Sequence, residues 1–95
     1  MLEPALLVLS SLAAGDKHGY AMISDIEAFS GIRLGAGTLY GAITRLEERN
    51  CIRPLDSDDR RRPYRLTAEG RRYLKEQLSL LDRTARVGLD RLRRT

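Results

Sequence analysis

The sequence is poor in the residues that build redox, metal and aromatic sites. Its 95 residues hold one cysteine, one histidine, one phenylalanine and no tryptophan. A single thiol, Cys51, rules out an internal disulfide and a thiolate metal cluster and suits a reducing cytoplasm. One histidine with one cysteine cannot close a four-ligand metal site, so neither metal nor cofactor is expected. Apolar runs are too short, and too often broken by charge, to cross a bilayer. The opening "MLEPALLVLSSLAAG" has the length of a signal core but lacks leading positive charge and carries Glu3 and Pro4. It reads as a helix of a soluble body. No nucleophile with a paired base, no phosphate-binding glycine loop and no acid pair at helical spacing stands out, which argues against an enzyme.

What is present is a charge asymmetry. Residues 1–47 carry three basic and five acidic side chains, whereas residues 48–95 carry fourteen and eight, a swing from −2 to +6. Apart from Lys17 and Lys75 every basic residue is arginine. Its fork matches phosphate and guanine edges. An anionic polymer is one partner this balance favours; a merely soluble, arginine-rich surface is the other reading.

Periodicity orders the chain, whose length suits one domain. Pro4 opens a first helix bearing Leu2, Leu6, Leu9 and Leu12 and ending at Gly15. "GYAMISDIEAFSG" places Met22, Ile23, Ile26 and Phe29 on one face of a second helix, which Ser30-Gly31 closes. Leu39, Ile43, Leu46 and Asn50 predict a third helix running to about residue 50. The period then changes: "CIRPL" and "PYRLT" read as two short strands around the polar turn "DSDDRRR". Thr67 caps a long final helix, on which Leu74, Leu78, Leu81, Ala85 and Leu92 fall at heptad-like intervals with Leu89 beside the seam. The expected fold is mainly α with a small β-hairpin. Residues 1–66 form a winged helix-turn-helix and residues 67–95 a C-terminal dimerisation helix.

The third helix opens on three glycines, although each interior glycine costs about 1 kcal/mol relative to alanine. At about 100° per residue, Leu39, Ala42, Ile43 and Leu46 cluster inward while Gly37, Gly41, Thr44 and Glu48 face away. Tyr40 flanks that outer face on one side, Thr38 and Arg45 on the other. A recognition helix meets DNA N-terminus first, so a bare outer face lets backbone approach while Thr38, Tyr40 and Arg45 reach from its edges. Gly35 serves as cap and turn. Tyr40 has a second reading, as a cover over the edge of the core.

"HGYAMISDIE", "GTLYGAITRLEERNCI" and "RRPYRLTAEGRRYL" together resemble the successive signatures of the PadR family of bacterial transcriptional regulators. The resemblance covers nearly the whole chain in order. It implies a homodimeric winged-helix protein that binds double-stranded DNA at a near-palindromic operator, usually as a repressor. Small aromatic or drug-like effectors are implied too, although Phe29 is the only phenylalanine and Tyr73 the only aromatic near the final helix. The short C-terminal part is similar to the compact branch of the family. Two positions depart: glycine stands at 35 where the family commonly has serine, and at 41 where it has proline.

His18 and Tyr20 start the second helix, which in this fold crosses the phosphate backbone. Arg60, Arg61 and Arg62 sit at the hairpin tip, where arginine suits a narrow minor groove. Asp56, Asp58 and Asp59 precede them, so an internally paired turn is the alternative. The stripe of Leu74, Leu78, Leu81, Ala85, Leu89 and Leu92 is expected to pair with a second copy, helped by Leu2, Leu6 and Leu9; packing back on the first helix is the other choice. Cys51 reads as a small buried hydrophobe. A winged-helix module that binds another protein is the rival function, and salt dependence separates the two.

Overall fold

The computed structural model describes residues 3–57 and 61–95. Leu2 and Arg60, named above as dimer and DNA contacts, lie outside the described residues, as do Asp58 and Asp59. Three helices, α1 (Pro4–Ala13), α2 (Gly19–Ser30) and α3 (Ala36–Glu48), are followed by strands β1 (Ile52–Pro54) and β2 (Tyr64–Leu66) and by the long helix α4 (Ala68–Arg93). The strands form an antiparallel hairpin in which Ile52 faces Leu66, Arg53 faces Arg65 and Pro54 faces Tyr64. This is the expected mainly helical winged helix-turn-helix. Among the described residues, no helix is long and apolar enough to cross a membrane.

Local chemistry explains each helix end. Proline at the first position of α1 needs no donor there and has its φ already set. α2 ends because Gly31 adopts φ 75°, and its N–H closes on the Glu27 carbonyl at 2.9 Å. α3 stops earlier than its apolar spacing predicts: Glu48 is its last residue, and Asn50, expected within it, takes a left-handed φ of 60°. Asparagine tolerates that conformation better than most residues, so it serves as the corner into β1. Thr67 caps α4 as expected, its hydroxyl oxygen accepting the Gly70 N–H at 2.9 Å. The same hydroxyl donates to the Asn50 carbonyl at 2.6 Å, tying the start of α4 to that corner.

One core joins all three helices, the hairpin and the first turns of α4. Val8, Leu9, Met22, Ile26, Leu39 and Ala42 are completely buried, and Ile52, Leu66 and Leu74 close the cluster. Ser11 is buried too, with its hydroxyl donating to Asp25 at 2.6 Å. α4 enters the core through Gly70, where a Cβ would collide with the Cys51 carbonyl backbone. Leu6, Leu9 and Leu74, expected to help form a surface for a second copy, are buried in this core within one chain. All three belong to one buried cluster with residues of α2, α3 and the hairpin. These three side chains are already out of water and have almost no surface left to offer.

Beyond Leu74 the helix leaves the body. Its 26 residues span about 39 Å, whereas the two shorter extents of the molecule are 26 and 20 Å. Leu78, Leu81, Leu89 and Leu92 are all exposed, rising to 70% at Leu92. Ala85 is exposed with them. Leu80 and Val87 are exposed as well, but at about 100° per residue they fall on the opposite side of the helix from that stripe.

Candidate nucleic-acid interface

α3 presents the surface that its sequence pattern describes. Leu39, Ala42, Ile43 and Leu46 are its buried residues, while Gly37, Thr38, Tyr40, Thr44 and Arg45 are exposed and Gly41 is half-buried. Gly35 occupies the N-cap position, with its carbonyl accepting the Leu39 N–H at 3.0 Å. No side chain caps this helix, so its first amides remain open toward solvent. A Cβ at Gly37 would meet nothing within 4 Å, and one at Gly41 would meet only the Arg45 guanidinium at 3.5 Å. The opening glycines therefore serve no core contact. Thr44 donates its hydroxyl to the Tyr40 carbonyl at 2.9 Å, which leaves it outward-facing lone pairs.

Five of the expected residues come together between α2, α3 and the wing. His18, Tyr20, Tyr40, Arg61 and Arg62 line a depression of about 320 Å³, with Tyr64 as a sixth wall. Tyr64 went unnoticed as a site residue because the alternation of β2 marks it only as the inward partner of Leu66. Burial pushes its phenol up from the usual value, and the nearby Glu47 and Tyr40 add to that while Arg62 opposes it. The hydroxyl of Tyr64 consequently stays protonated and available as a donor at neutral pH. Tyr40 covers the edge of the core, the second of its two readings. It is 42% exposed, yet its ring and hydroxyl lie over Gly19, where any side chain would collide with them.

His18 caps α2, its Nδ1 accepting the Ala21 N–H at 3.3 Å. With that nitrogen engaged as an acceptor, the neutral ring carries its proton on Nε2 and turns it away from the helix end. Guanidinium forks, phenolic hydroxyls and a helix N-terminus, groups whose chemistry suits an anion, thus line one concavity.

The structure does not bring every expected contact into this basin. Arg45 lies on the other flank of α3, in a groove of about 280 Å³ shared with Glu3, Pro4, Ala5, Leu46, Arg49 and Tyr73. Gly37 and Thr38 are exposed and line neither of these two depressions. Cys51 is buried, and burial raises its thiol above the ordinary value, with Glu69 adding to the shift and Arg49 opposing it. It has the surroundings of a packing residue.

An exposed glycine-bared helix, a basin lined by histidine, tyrosine and arginine, and an arginine-bearing wing belong to a winged-helix fold of the DNA-binding kind. Comparison with known proteins narrows the class. Residues 8–76 match the Transcriptional regulator PadR-like family. An uncharacterised 37.1 kDa protein in transposon TN4556 of Streptomyces fradiae is 48% identical over 75 residues, covering 79% of this chain and 22% of that protein. The chain thus spans about a fifth of the length of that relative. A transcriptional regulator from Clostridium thermocellum has a similar structure, with TM-score 0.80, 31% identity and 88% and 84% of the two chains covered. So does a PadR family transcription regulator from Clostridium difficile R20291, with TM-score 0.82, 27% identity and 90% and 94% coverage. The chain belongs to the PadR-like family of transcriptional regulators, a family of regulators and not of enzymes.

Proposed function

We propose that the chain acts as a cytoplasmic homodimeric repressor that occupies a near-palindromic operator and is released by a small molecule. One observation supports this reading most: His18, Tyr20, Tyr40, Arg61 and Arg62, far apart in sequence, share one basin beside the bare outer face of α3. In the proposed complex α3 enters the major groove, with Thr38, Gly37, Gly41, Thr44 and Arg45 facing bases and phosphates. The basin takes the flanking backbone, and the arginine run of residues 60–62 reaches the adjacent groove.

Residues 67–95 form the dimerisation helix in this reading, used from Leu78 outward through Leu81, Ala85, Leu89 and Leu92. An apolar arm of this extent is costly in water, and a two-fold partner covers it while presenting two recognition helices to two half-sites. The effector site we favour is the groove between the start of α1, the end of α3 and Tyr73. Its volume of about 280 Å³ lies just below the usual range of ligand pockets, and its walls include Tyr73 of α4. A ligand wedged there would change the separation of the two recognition helices.

Binding to promoter DNA is measured by fluorescence anisotropy across a salt series, with footprinting to find the half-sites. Affinity should fall steeply as salt rises, because arginine–phosphate contacts release counterions. A salt-insensitive interaction with another protein, and none with DNA, would replace this reading by that of a protein-binding module.

A further inference from the structure

The hairpin has little to hold it in place by itself. Each strand has three residues, Pro54 contributes no N–H, and Arg53 stands directly opposite Arg65. Two short strands are marginal alone, and like charges face to face weaken them further. The turn between α1 and α2 supplies what is missing. Lys17 and Tyr64 exchange main-chain hydrogen bonds, Tyr64 N–H to the Lys17 carbonyl at 3.1 Å and Lys17 N–H to the Tyr64 carbonyl at 3.4 Å. Lys17 is thereby a one-residue third strand on β2. Beside it, the Asp16 carboxylate takes Arg65 in a fork, with Nη2 at 2.7 Å and Nε at 3.1 and 3.2 Å from its oxygens. Arg65 is the ion-pair partner of Asp16, and Arg53 adds only a lesser Coulombic attraction.

The turn is in turn anchored inward. The Lys17 ammonium donates to the Ser11 carbonyl of α1 and lies 3.6 Å from the Asp25 carboxylate of α2, which also accepts the Ser11 hydroxyl. An unbroken set of contacts therefore runs from the buried faces of α1 and α2, through residues 16 and 17, to β2. Tyr64, Arg62 and Arg61 lie on or just before that strand and line the basin together.

We infer that Asp16 and Lys17 are positioning residues for DNA binding: they clamp the wing to the α1–α2 turn and hold Arg61, Arg62 and Tyr64 beside α3. The DNA part of this inference rests on the proposed function, whereas the clamp itself does not. Two readouts keep them apart. In the free protein, hydrogen exchange at the Tyr64 amide should accelerate by about two- to fivefold in Asp16→Asn, because an exposed ion pair contributes modestly to local opening. The double variant Asp16→Arg with Arg65→Asp restores an opposite-charge pair and should restore protection. With a fluorescein-labelled mixed-sequence DNA duplex at low salt, Arg61→Ala with Arg62→Ala should weaken wild-type binding. The same pair should weaken the Asp16→Asn background by less, since misplaced arginines no longer contribute fully; such non-additivity is the mark of coupling. Unchanged Tyr64 exchange, or equal arginine losses in the two backgrounds, overturns the clamp. If the wild type binds no duplex, the DNA reading fails and exchange alone decides the clamp. Should Asp16→Asn not fold, Arg65→Gln leaves the turn intact and carries the same two expectations.

Discussion

The leucines of α1 and those of the outer part of α4 recur at similar helical spacing, yet their surroundings are opposite. Leu6, Leu9 and Leu12 lie inside a core shared by all six elements, whereas Leu78, Leu81, Leu89 and Leu92 stand in solvent. The two regions meet near Leu74, the last buried side chain of α4. Periodicity marks which face of a helix is apolar, and it is silent about what covers that face. Glycines divide along a similar line. Those at 37 and 41 look out on open or nearly open space, while those at 19 and 70 are required by a neighbour's approach.

The largest effect that separates body from arm is Leu9→Ala. A fully buried leucine leaves a cavity when truncated, so unfolding free energy should fall by about 2–5 kcal/mol. Because Leu9 packs within one chain, that loss should be the same at every protein concentration in urea melts. A loss that grows on dilution would instead place Leu9 at an interface between copies.

Next in size is the glycine pair. Gly70→Ala forces a methyl against the Cys51 carbonyl and should cost about 1–3 kcal/mol or more by overpacking. Gly41→Leu points outward, removes a helix-interior glycine and should leave the thermal midpoint unchanged or slightly raised. It should still abolish operator binding by bulk, read by anisotropy. Unfolding by Gly41→Leu would mean that this face of α3 turns inward.

In the arm, Leu78→Glu or Leu81→Glu should hardly alter the stability of the body, because both side chains are exposed. The expected change is in sedimentation, from dimer to monomer, with a large loss of operator affinity. Tight binding by a monomer would remove the arm from the mechanism.

The smallest contrast lies in the wing clamp. The Arg65 guanidinium, by hydrogen bonding, holds the Asp16 carboxyl below the usual carboxylate range, with lesser help from Coulombic attraction to Arg65 and Arg53. A carboxyl with a lowered folded-state pKa stabilises the fold above its ordinary value near about 4 and loses that contribution as pH falls through the lowered one. Acid-denaturation curves of the wild type and Asp16→Asn should therefore differ at neutral pH and converge at the acid end. Constant separation down to the lowest pH would show that ionisation of Asp16 is not the source.

Much of the site was legible in advance because its signals are local. The outward set of α3 follows from the helical repeat, and the caps at Gly31 and Thr67 follow from residue type. Arg61 and Arg62 were readable as a wing tip from the turn-rich string around them. Tyr64, Asp16, Lys17 and Arg65 were not singled out, since their roles depend on which turn lies beside which strand. Gly70 is a similar case: it resembles any residue near a helix start until the Cys51 backbone is placed against it. The end of α3 also moved, from residue 50 back to Glu48, because the chain must turn at Asn50 for Ile52 to enter the core.

The sequence by itself determined the element order, the inward and outward faces of each helix and the bare start of α3. These depend on backbone geometry and residue preference over a few turns. Only the tertiary structure decided that Leu6, Leu9 and Leu74 belong to the core, that Arg45 stands apart from the basin, and that the turn at Asp16 and Lys17 fixes the wing. Those outcomes depend on contacts between residues distant in the chain, where excluded volume and charge pairing select one arrangement among several that the same apolar pattern allows.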